Sequence, residues 1–175
     1  MTPEERASRV RLLLFDVDGV LTDGIILMHP DGSDSKGFHI RDGAAIVWAQ
    51  RAGLTVGLLS ARTSSATTHR AAQLALRLVV QGASSKLSAY ERIVRDAGLT
   101  DDAVAYMGDD ILDLPVLARA GLATAPADAA AEVRERVHWV SAAGGGRGAA
   151  RELIEMVLRA QQRWDGVMQS YLPSA

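Results

Sequence analysis

Two aspartates, Asp16 and Asp18, follow directly on an apolar run and are separated by a single residue. Side chains two residues apart in extended chain point to the same side, so the two carboxylates can hold a phosphoryl group between them. One carboxylate could attack phosphorus while the other transfers the proton. Because the two charges repel, the pair also predicts a hard cation with oxygen ligands, and magnesium fits.

The same residues also have a purely structural interpretation. Asp18 and Gly19 can form a turn, and Asp16 can cap a helix. A cap does not explain the apolar run at 12–15 that leads into the two aspartates. Such a run, without alternation, suits a strand covered on both faces of a parallel sheet, and ligands bind at the carboxyl ends of such strands.

Apolar runs alternate with helical patterns along nearly the whole chain. This alternation predicts an α/β fold with a doubly wound parallel sheet and right-handed crossovers. We expect strands at 12–15, 55–59, 78–80, 104–107, 122–125 and 139–140. We expect helices at 42–52, from about 65 to 76, and at 87–97, 115–120, 129–137 and 149–168.

With 175 residues, the chain suits one domain spanning 1–175, with no room for a second. A Pro-Asp-Gly turn predicts a small hairpin insertion at about 24–38, whose first arm is a row of four apolar residues that needs a partner surface. Residues 149–175 are expected to form an amphipathic helix and, from Gln169, a mobile tail.

Composition narrows the classes of function. The net charge of -2 comes from interspersed acids and bases, so there is no basic stripe for nucleic acid and small molecules are the expected partners. The chain has no cysteine, which excludes thiolate catalysis and cysteine-based zinc sites. The N-terminus is charged and no stretch approaches the length of a membrane span, so we expect a cytoplasmic protein without a membrane partner.

Polar residues follow four of the predicted strands, and the ends of parallel strands share one crevice. Asp16 is the expected nucleophile, and Asp18 would protonate the leaving oxygen and later deprotonate water. Asp109 would complete a magnesium site with Asp16 and with a backbone carbonyl near Asp18. Ser60 would donate a hydrogen bond to the phosphoryl oxygens, and Lys86 would neutralise charge in the transition state.

Each of these later residues has an ordinary alternative role. Ser60 alone could cap a helix, Lys86 alone could be a solvated lysine, and Asp109 and Asp110 could cap the helix that follows them. Their joint occurrence at successive strand ends favours the catalytic interpretation.

Other polar residues are weaker candidates. Arg41, Arg62 and Arg147 could bind the substrate, and Asp42 and Asp110 could support the site. Arg147 lies in a glycine-rich loop where it could hold an anion, although an ordinary surface arginine explains it equally well.

Several short blocks occur in the order and at the spacing of one known enzyme family. They are Asp16-Val17-Asp18-Gly19-Val20-Leu21-Thr22-Asp23-Gly24, Arg41-Asp42-Gly43, Ser60, Gln81-Gly82, Lys86, Gly108-Asp109-Asp110 and Gly145-Gly146-Arg147-Gly148. In these blocks the chain resembles the haloacid dehalogenase superfamily of phosphatases, and within it a capless subclass that acts on sugar-acid phosphates. The resemblance covers about residues 12–162. The family's usual Thr-Gly-Arg is Ser60-Ala61-Arg62 here, which keeps the hydroxyl but not the glycine.

The resemblance implies a fold whose only insertion after the first strand is the hairpin. It also implies a homotetramer, dependence on magnesium, and hydrolysis of an eight-carbon sugar-acid phosphate for lipopolysaccharide precursor synthesis. Relatives within the family act on nine-carbon, sialic-acid-like phosphates, which is an alternative substrate class.

Two alternatives of other classes are a non-catalytic oligomeric module that regulates another enzyme and a phosphoprotein phosphatase. The first would have no reason to keep Asp16, Asp18, Lys86 and Asp109 together. The second would need an exposed groove for a peptide.

Overall fold

Eight strands form two separate sheets in the computed structural model, which describes residues 1–172. They are β1 (Leu12–Phe15), β2 (Leu27–Met28), β3 (Asp34–Ser35), β4 (Thr55–Leu59), β5 (Leu78–Val80), β6 (Val104–Met107), β7 (Leu122–Ala125) and β8 (Trp139–Val140). Strands β2 and β3 pair antiparallel as a hairpin. The other six form a parallel sheet in the order β5-β4-β1-β6-β7-β8.

Helices cover both faces of the parallel sheet. They are α1 (Pro3–Ala7), α2 (Ile40–Arg51), α3 (Ser65–Gln73), α4 (Lys86–Asp96), α5 (Leu114–Leu117), α6 (Ala131–Arg134), α7 (Ala149–Ala160) and α8 (Trp164–Gln169), with 3₁₀ turns at Asp101–Ala103 and Ile111–Asp113. Among residues 1–172, no helix combines the length and the apolar character needed to cross a bilayer.

Strand β1 lies at the centre of two hydrophobic cores. Its side chains alternate, so Leu13 and Phe15 pack with α2 and α7 while Leu12 and Leu14 pack with α4 and α5. All four side chains are fully buried, which explains why this strand shows no polar alternation in the sequence. Each such burial stabilises the fold by about 1.5–3 kcal/mol before the entropy cost is counted.

The predicted fold class is confirmed, and the six strands of the parallel sheet have the predicted bounds. Helix ends were predicted less well. Helix α2 begins at Ile40, two residues before the predicted start, and α6 is much shorter than expected. The prediction of one helix over 149–168 is wrong, because Gln162 has a left-handed φ of 57° and separates α7 from α8.

The C-terminal segment contacts the domain through Tyr171. Trp48 Nε1 donates a hydrogen bond of 2.9 Å to the Tyr171 hydroxyl, and the two rings meet edge to face. This contact gives Tyr171 a partner, and the mobility expected of the tail from Gln169 stays a prediction. Residues 173–175 of that predicted tail lie outside the described residues.

The hairpin is present where it was predicted, but its two strands are only two residues long. Ile25, Leu27 and Met28 of its first arm are each more than 60% exposed in the single chain. Within the described residues, this hairpin is the only β-structure inserted between β1 and α2, in agreement with the capless architecture.

Asp42 joins two helices that are distant in sequence. Its carboxylate is buried on α2 and accepts hydrogen bonds from the backbone of Gly148, at 3.2 Å, and Arg151, at 2.9 Å. These N–H groups lie in the first turn of α7, where they have no partner within the helix. Asp42 therefore acts as a cap from another helix.

We predict that Asp42→Ala lowers the free energy of unfolding by about 1–3 kcal/mol, because two partly buried N–H groups lose their acceptor. Urea unfolding followed by circular dichroism measures this change. Arg41→Ala is the matched control, since Arg41 is the exposed neighbour on the same helix. Equal stability of the two variants would contradict the capping role.

Candidate active site

The loop after β1 carries Asp16 and Asp18 and is folded around one buried threonine. Asp16 N–H donates to the Met107 carbonyl at 3.0 Å, which continues the pairing of β1 with β6 and fixes the backbone of the predicted nucleophile. The Thr22 hydroxyl accepts hydrogen bonds from Gly19 N–H and Gly24 N–H, at 3.3 and 3.2 Å. These contacts hold the loop closed beneath the two aspartates.

Two glycines allow the elements of the site to approach one another. Gly19 has a φ of +85°, and a Cβ there would lie 2.0 Å from Asp109 Oδ2. A Cβ on Gly145 would lie 1.8 Å from the Gly19 carbonyl oxygen. The glycine-rich loop before α7 thus supports the loop after β1 from behind, and Gly146 N–H donates to the Val20 carbonyl at 2.9 Å.

Lys86 bridges the predicted nucleophile and a second buried acid. Its Nζ lies 2.9 Å from Asp16 Oδ2 and 2.6 Å from Asp113 Oδ1, and its side chain is only 7% exposed. Burial alone would lower the pKa of Lys86, but the charges of Asp16 and Asp113 outweigh burial and raise this pKa above its usual value. The alternative of a solvated lysine is therefore wrong.

Sequence reasoning missed the role of Asp113, which is fully buried. Its Oδ1 also accepts from the Tyr106 hydroxyl, and its Oδ2 accepts from the backbone of Asp109 and Asp110 at 3.1 and 3.3 Å. Asp113 therefore orients Lys86 and the Asp109 backbone together. The sequence did contain a signal for this role, because Asp113 is the third acid in the segment 108–113. A 3₁₀ turn places it close to the end of β6.

The buried carboxylates fit a divalent cation. Among the described residues, Asp16, Asp109 and Asp113 offer oxygen atoms within 4.8 Å of one another. Asp109 Oδ1 is buried without a hydrogen-bond partner, whereas both oxygens of Asp113 are already used. The two carboxylates that fit the ion best are thus Asp16 and Asp109, both in the predicted ligand set. The Asp18 carboxylate is not in this cluster, and the expected backbone ligand near Asp18 stays a prediction.

The raised pKa values of Asp16 and Asp109 also indicate that the cluster lacks positive charge. Burial, followed by the charge of Asp113, raises the pKa of Asp16 to about 6 although Lys86 partly offsets both effects. Burial and the charges of Asp16 and Asp113 raise the pKa of Asp109 to about 7. A bound cation would favour the ionised forms that a nucleophile and a ligand require.

The crevice above these residues has a volume of about 310 Å³. Asp18 stands in it with Oδ2 3.7 Å from Arg62 Nε, and its Oδ1 lies 2.7 Å from Nζ of Lys36, a residue that sequence reasoning did not select. The predicted residues that line the crevice are Asp16, Asp18, Ser60, Arg62, Lys86, Asp109 and Asp110, and Asp113 joins them.

Three other candidates lie elsewhere in the single chain. Arg41 is exposed on α2, and Asp42 caps α7. The Arg147 side chain is 70% exposed, and its guanidinium is 3.9 Å from Asp23 Oδ2. None of the three lines the crevice, so the chain alone does not bring them to the reacting groups.

A doubly wound sheet with an Asp-x-Asp pair at the end of its central strand, a buried lysine and a second acidic strand end defines a phosphoryl-transfer hydrolase. A sequence profile described as haloacid dehalogenase-like hydrolase matches residues 64–153. The chain belongs to this family, as its relatives also show.

Two relatives illustrate this similarity. The 3-deoxy-D-manno-octulosonate 8-phosphate phosphatase of Yersinia pestis is 38% identical over 162 residues, which cover 93% of this chain and 87% of that protein. The phosphatase of the same name from Escherichia coli strain K12 is 38% identical over 160 residues, which cover 91% of this chain and 85% of that protein.

Solved structures of similar proteins have the same fold. The Yersinia pestis phosphatase structure aligns with a TM-score of 0.91 at 38% identity, over 93% of this chain and 88% of that one. A phosphatase of the same name from Moraxella catarrhalis, solved in complex with magnesium, phosphate and KDO, aligns with a TM-score of 0.94 at 28% identity, over 97% and 98% of the two chains.

The raised pKa values predict how the stability of the metal-free protein depends on pH. Between the unfolded value of 3.8 and the folded values of about 6 and about 7, folded Asp16 and Asp109 bind protons that the unfolded chain has lost. This contribution to the free energy of unfolding is therefore lost as pH rises through that window. Asp109→Asn removes the part of this pH dependence that comes from the Asp109 carboxyl. We therefore expect the variant to gain stability relative to wild type as pH rises from 4 to 7.

Chemical denaturation in the presence of a chelator, at several pH values, measures the difference. In wild type, magnesium should reverse the trend above pH 6, because the ion binds the ionised carboxylates of the folded state. A stability difference that stays constant with pH would contradict the prediction.

Proposed function

We propose that this phosphatase hydrolyses 3-deoxy-D-manno-octulosonate 8-phosphate to the free sugar acid and inorganic phosphate. The observation that carries the proposal is the crevice in which Lys86 holds Asp16 while Asp18 stands free of that ion pair. Relatives named for this reaction share most of the chain, and the Moraxella catarrhalis structure contains magnesium, phosphate and KDO. These relatives support magnesium as the cofactor and the sugar-acid phosphate as the substrate.

The first step forms an aspartyl-phosphate. A carboxylate oxygen of Asp16 attacks phosphorus, and the bond between phosphorus and the sugar oxygen breaks. The leaving oxygen takes its electron pair and receives a proton from Asp18, so the sugar acid departs as an alcohol.

The second step returns the enzyme to its starting state. The Asp18 carboxylate takes a proton from a water molecule whose oxygen attacks phosphorus. The bond between phosphorus and Asp16 breaks, and its electron pair restores the Asp16 carboxylate. Inorganic phosphate leaves, and Asp18 is again protonated for the next turnover.

The remaining crevice residues hold the phosphoryl group. The Ser60 side chain lies nearly buried at the end of β4, where its hydroxyl can donate to a phosphoryl oxygen. Lys86 supplies a fixed positive charge beside the attacking oxygen of Asp16. Asp16 and Asp109 would hold the magnesium ion, which neutralises charge on the phosphoryl oxygens when it is bound.

A nine-carbon, sialic-acid-like phosphate is the second candidate substrate, since it presents the same phosphate ester and acid group. Comparing kcat/KM for the eight-carbon and nine-carbon compounds decides between them. Preference for the nine-carbon ester would keep the mechanism and overturn the substrate. The cytoplasmic location expected from the sequence stays a prediction.

We predict that Asp16→Asn abolishes phosphate release while the protein stays folded, because an amide cannot form the aspartyl-phosphate. Turnover with magnesium and a melting curve measure the two effects. The control is Asp96→Asn, an exposed aspartate on α4 that should leave turnover unchanged. Near wild-type turnover in Asp16→Asn would rule out the aspartyl-phosphate mechanism.

We also propose that the chain forms a homotetramer through its hairpins. Leu27 and Met28 leave an apolar surface on the hairpin that the single chain does not cover. Ile26, the residue before them, lines the crevice, so a neighbour that covers the hairpin would stand at the mouth of the site. Pairing of hairpins between copies would bury the apolar arm and help exclude water.

We predict a tetramer by light scattering, and dissociation by Met28→Asp, because the substitution puts a charge into the apolar contact. Turnover of the sugar phosphate should fall more than turnover of a small generic ester. Met168→Asp is the control, since it changes an exposed methionine on α8. A fully active wild-type monomer at assay concentration would disprove this assembly.

A further inference from the structure

Lys36 is a buried cation that the mechanism above does not use. It lies on the second arm of the hairpin, one residue beyond β3, and its side chain is only 1% exposed. Its Nζ is 2.7 Å from Asp18 Oδ1. A lysine is almost never so fully buried unless it is paired, so this ion pair accounts for its position.

Lys36 also contacts helix α3. Its Nζ lies 3.5 Å from the hydroxyl of Thr67, a buried residue of α3. Two residues earlier on the same arm, Asp34 Oδ1 accepts a hydrogen bond of 2.9 Å from the Ser64 hydroxyl. The arm that carries Lys36 is therefore attached to the start of α3, with the ammonium group beside Asp18.

Lys36 is not among the residues that line the crevice. Asp18 lines it, and Asp18 Oδ1 lies 2.7 Å from Lys36 Nζ. Arg62, the other cation beside Asp18, has a side chain that is 52% exposed, and its Nε lies 3.7 Å from Asp18 Oδ2. Of these two cations beside Asp18, Lys36 is thus the buried one and the nearer one.

We propose that Lys36 is a positioning residue that holds Asp18 in the orientation needed for proton transfer to the leaving oxygen. The inference rests on the proposed role of Asp18 and not on the identity of the sugar. It gives the hairpin a function within a single chain, since the insertion supplies the group that orients the acid. Lys36 is not a catalytic residue, because it acts through Asp18.

Leaving groups of different quality test this role. An alkyl phosphate needs the proton from Asp18, whereas 4-nitrophenyl phosphate has a stable leaving anion and needs it little. In Lys36→Gln we expect kcat/KM for the sugar-acid phosphate to fall about tenfold to hundredfold, part of the 10²–10⁴ that a general acid contributes. For 4-nitrophenyl phosphate we expect a loss of less than about threefold. Lys36→Arg should recover part of the alkyl activity.

Asp34→Asn is the matched control. It weakens the attachment of the same arm to Ser64 but leaves the Lys36–Asp18 pair in place. We expect it to change kcat/KM for both esters by the same factor. If Lys36→Gln also lowers both equally, Lys36 is only a tether for the hairpin, and if KM alone rises, it binds substrate; either result overturns the proposal.

A double variant tests whether Lys36 acts through Asp18. In an Asp18→Asn background, Lys36→Gln should cause no further loss, because there is no acid left to orient. A further loss as large as in wild type would overturn the proposal. Any alkyl and aryl pair that the wild type hydrolyses can be used, so a wrong sugar assignment does not affect the test.

A structural measurement completes the design. The crystal structure of Lys36→Gln should show the Asp18 carboxylate turned away from its wild-type position, while Asp16 and Lys86 keep their ion pair. An unchanged Asp18 would overturn the proposal even if turnover fell. The orientation of Asp18 can be measured even if the protein hydrolyses no ester. In that case the proposed function fails, and the structure alone decides whether Lys36 positions Asp18.

Discussion

The ion pairs of Lys86 with Asp16 and Asp113 determine how the rest of the site can be built. Three acids, Asp16, Asp109 and Asp113, converge in a partly dry region, and their mutual repulsion would oppose folding without a fixed cation. Lys86 begins α4, whose first turn is placed by the Ser85 cap and by the preceding strand β5. The start of one helix thus sets the charge balance at the ends of two other strands. The pKa values of Asp16 and Asp109 are still raised in the presence of Lys86, which indicates that a second positive charge, the metal ion, would stabilise the ionised carboxylates.

Much of this arrangement could be read from the sequence because it depends on local pattern. The six parallel strands are short apolar runs bounded by turns, and the polar residues that follow them meet because parallel strands end at one edge. Helix ends were harder, since backbone signals are weak there. Gln162 adopts the left-handed conformation without being glycine, and no pattern in the sequence marks it.

The contacts that sequence reasoning missed are between distant residues. Asp113 looks like one more acid after a strand, and only the 3₁₀ turn and the Tyr106 hydroxyl reveal it as a buried anchor. Lys36 looks like a solvated lysine in a polar hairpin, because the short hairpin strands do not show where its arm is attached. Asp42 was placed near the site by its neighbours in the sequence motif, but its partners are the backbone groups of α7.

The glycine-rich support behind the Asp16 loop has a consequence for how the protein is made. Gly146 binds the Val20 carbonyl, and the Asp42–Gly148 contact joins residues 106 positions apart. During synthesis the ribosome releases β1 and its aspartates long before residues 145–151 emerge. Because domains generally fold as units, the loop after β1 lacks the support of Gly145 and Gly146 until that later segment is available. The geometry around Asp16 is therefore completed late in synthesis, after the strand that carries this nucleophile has long been made.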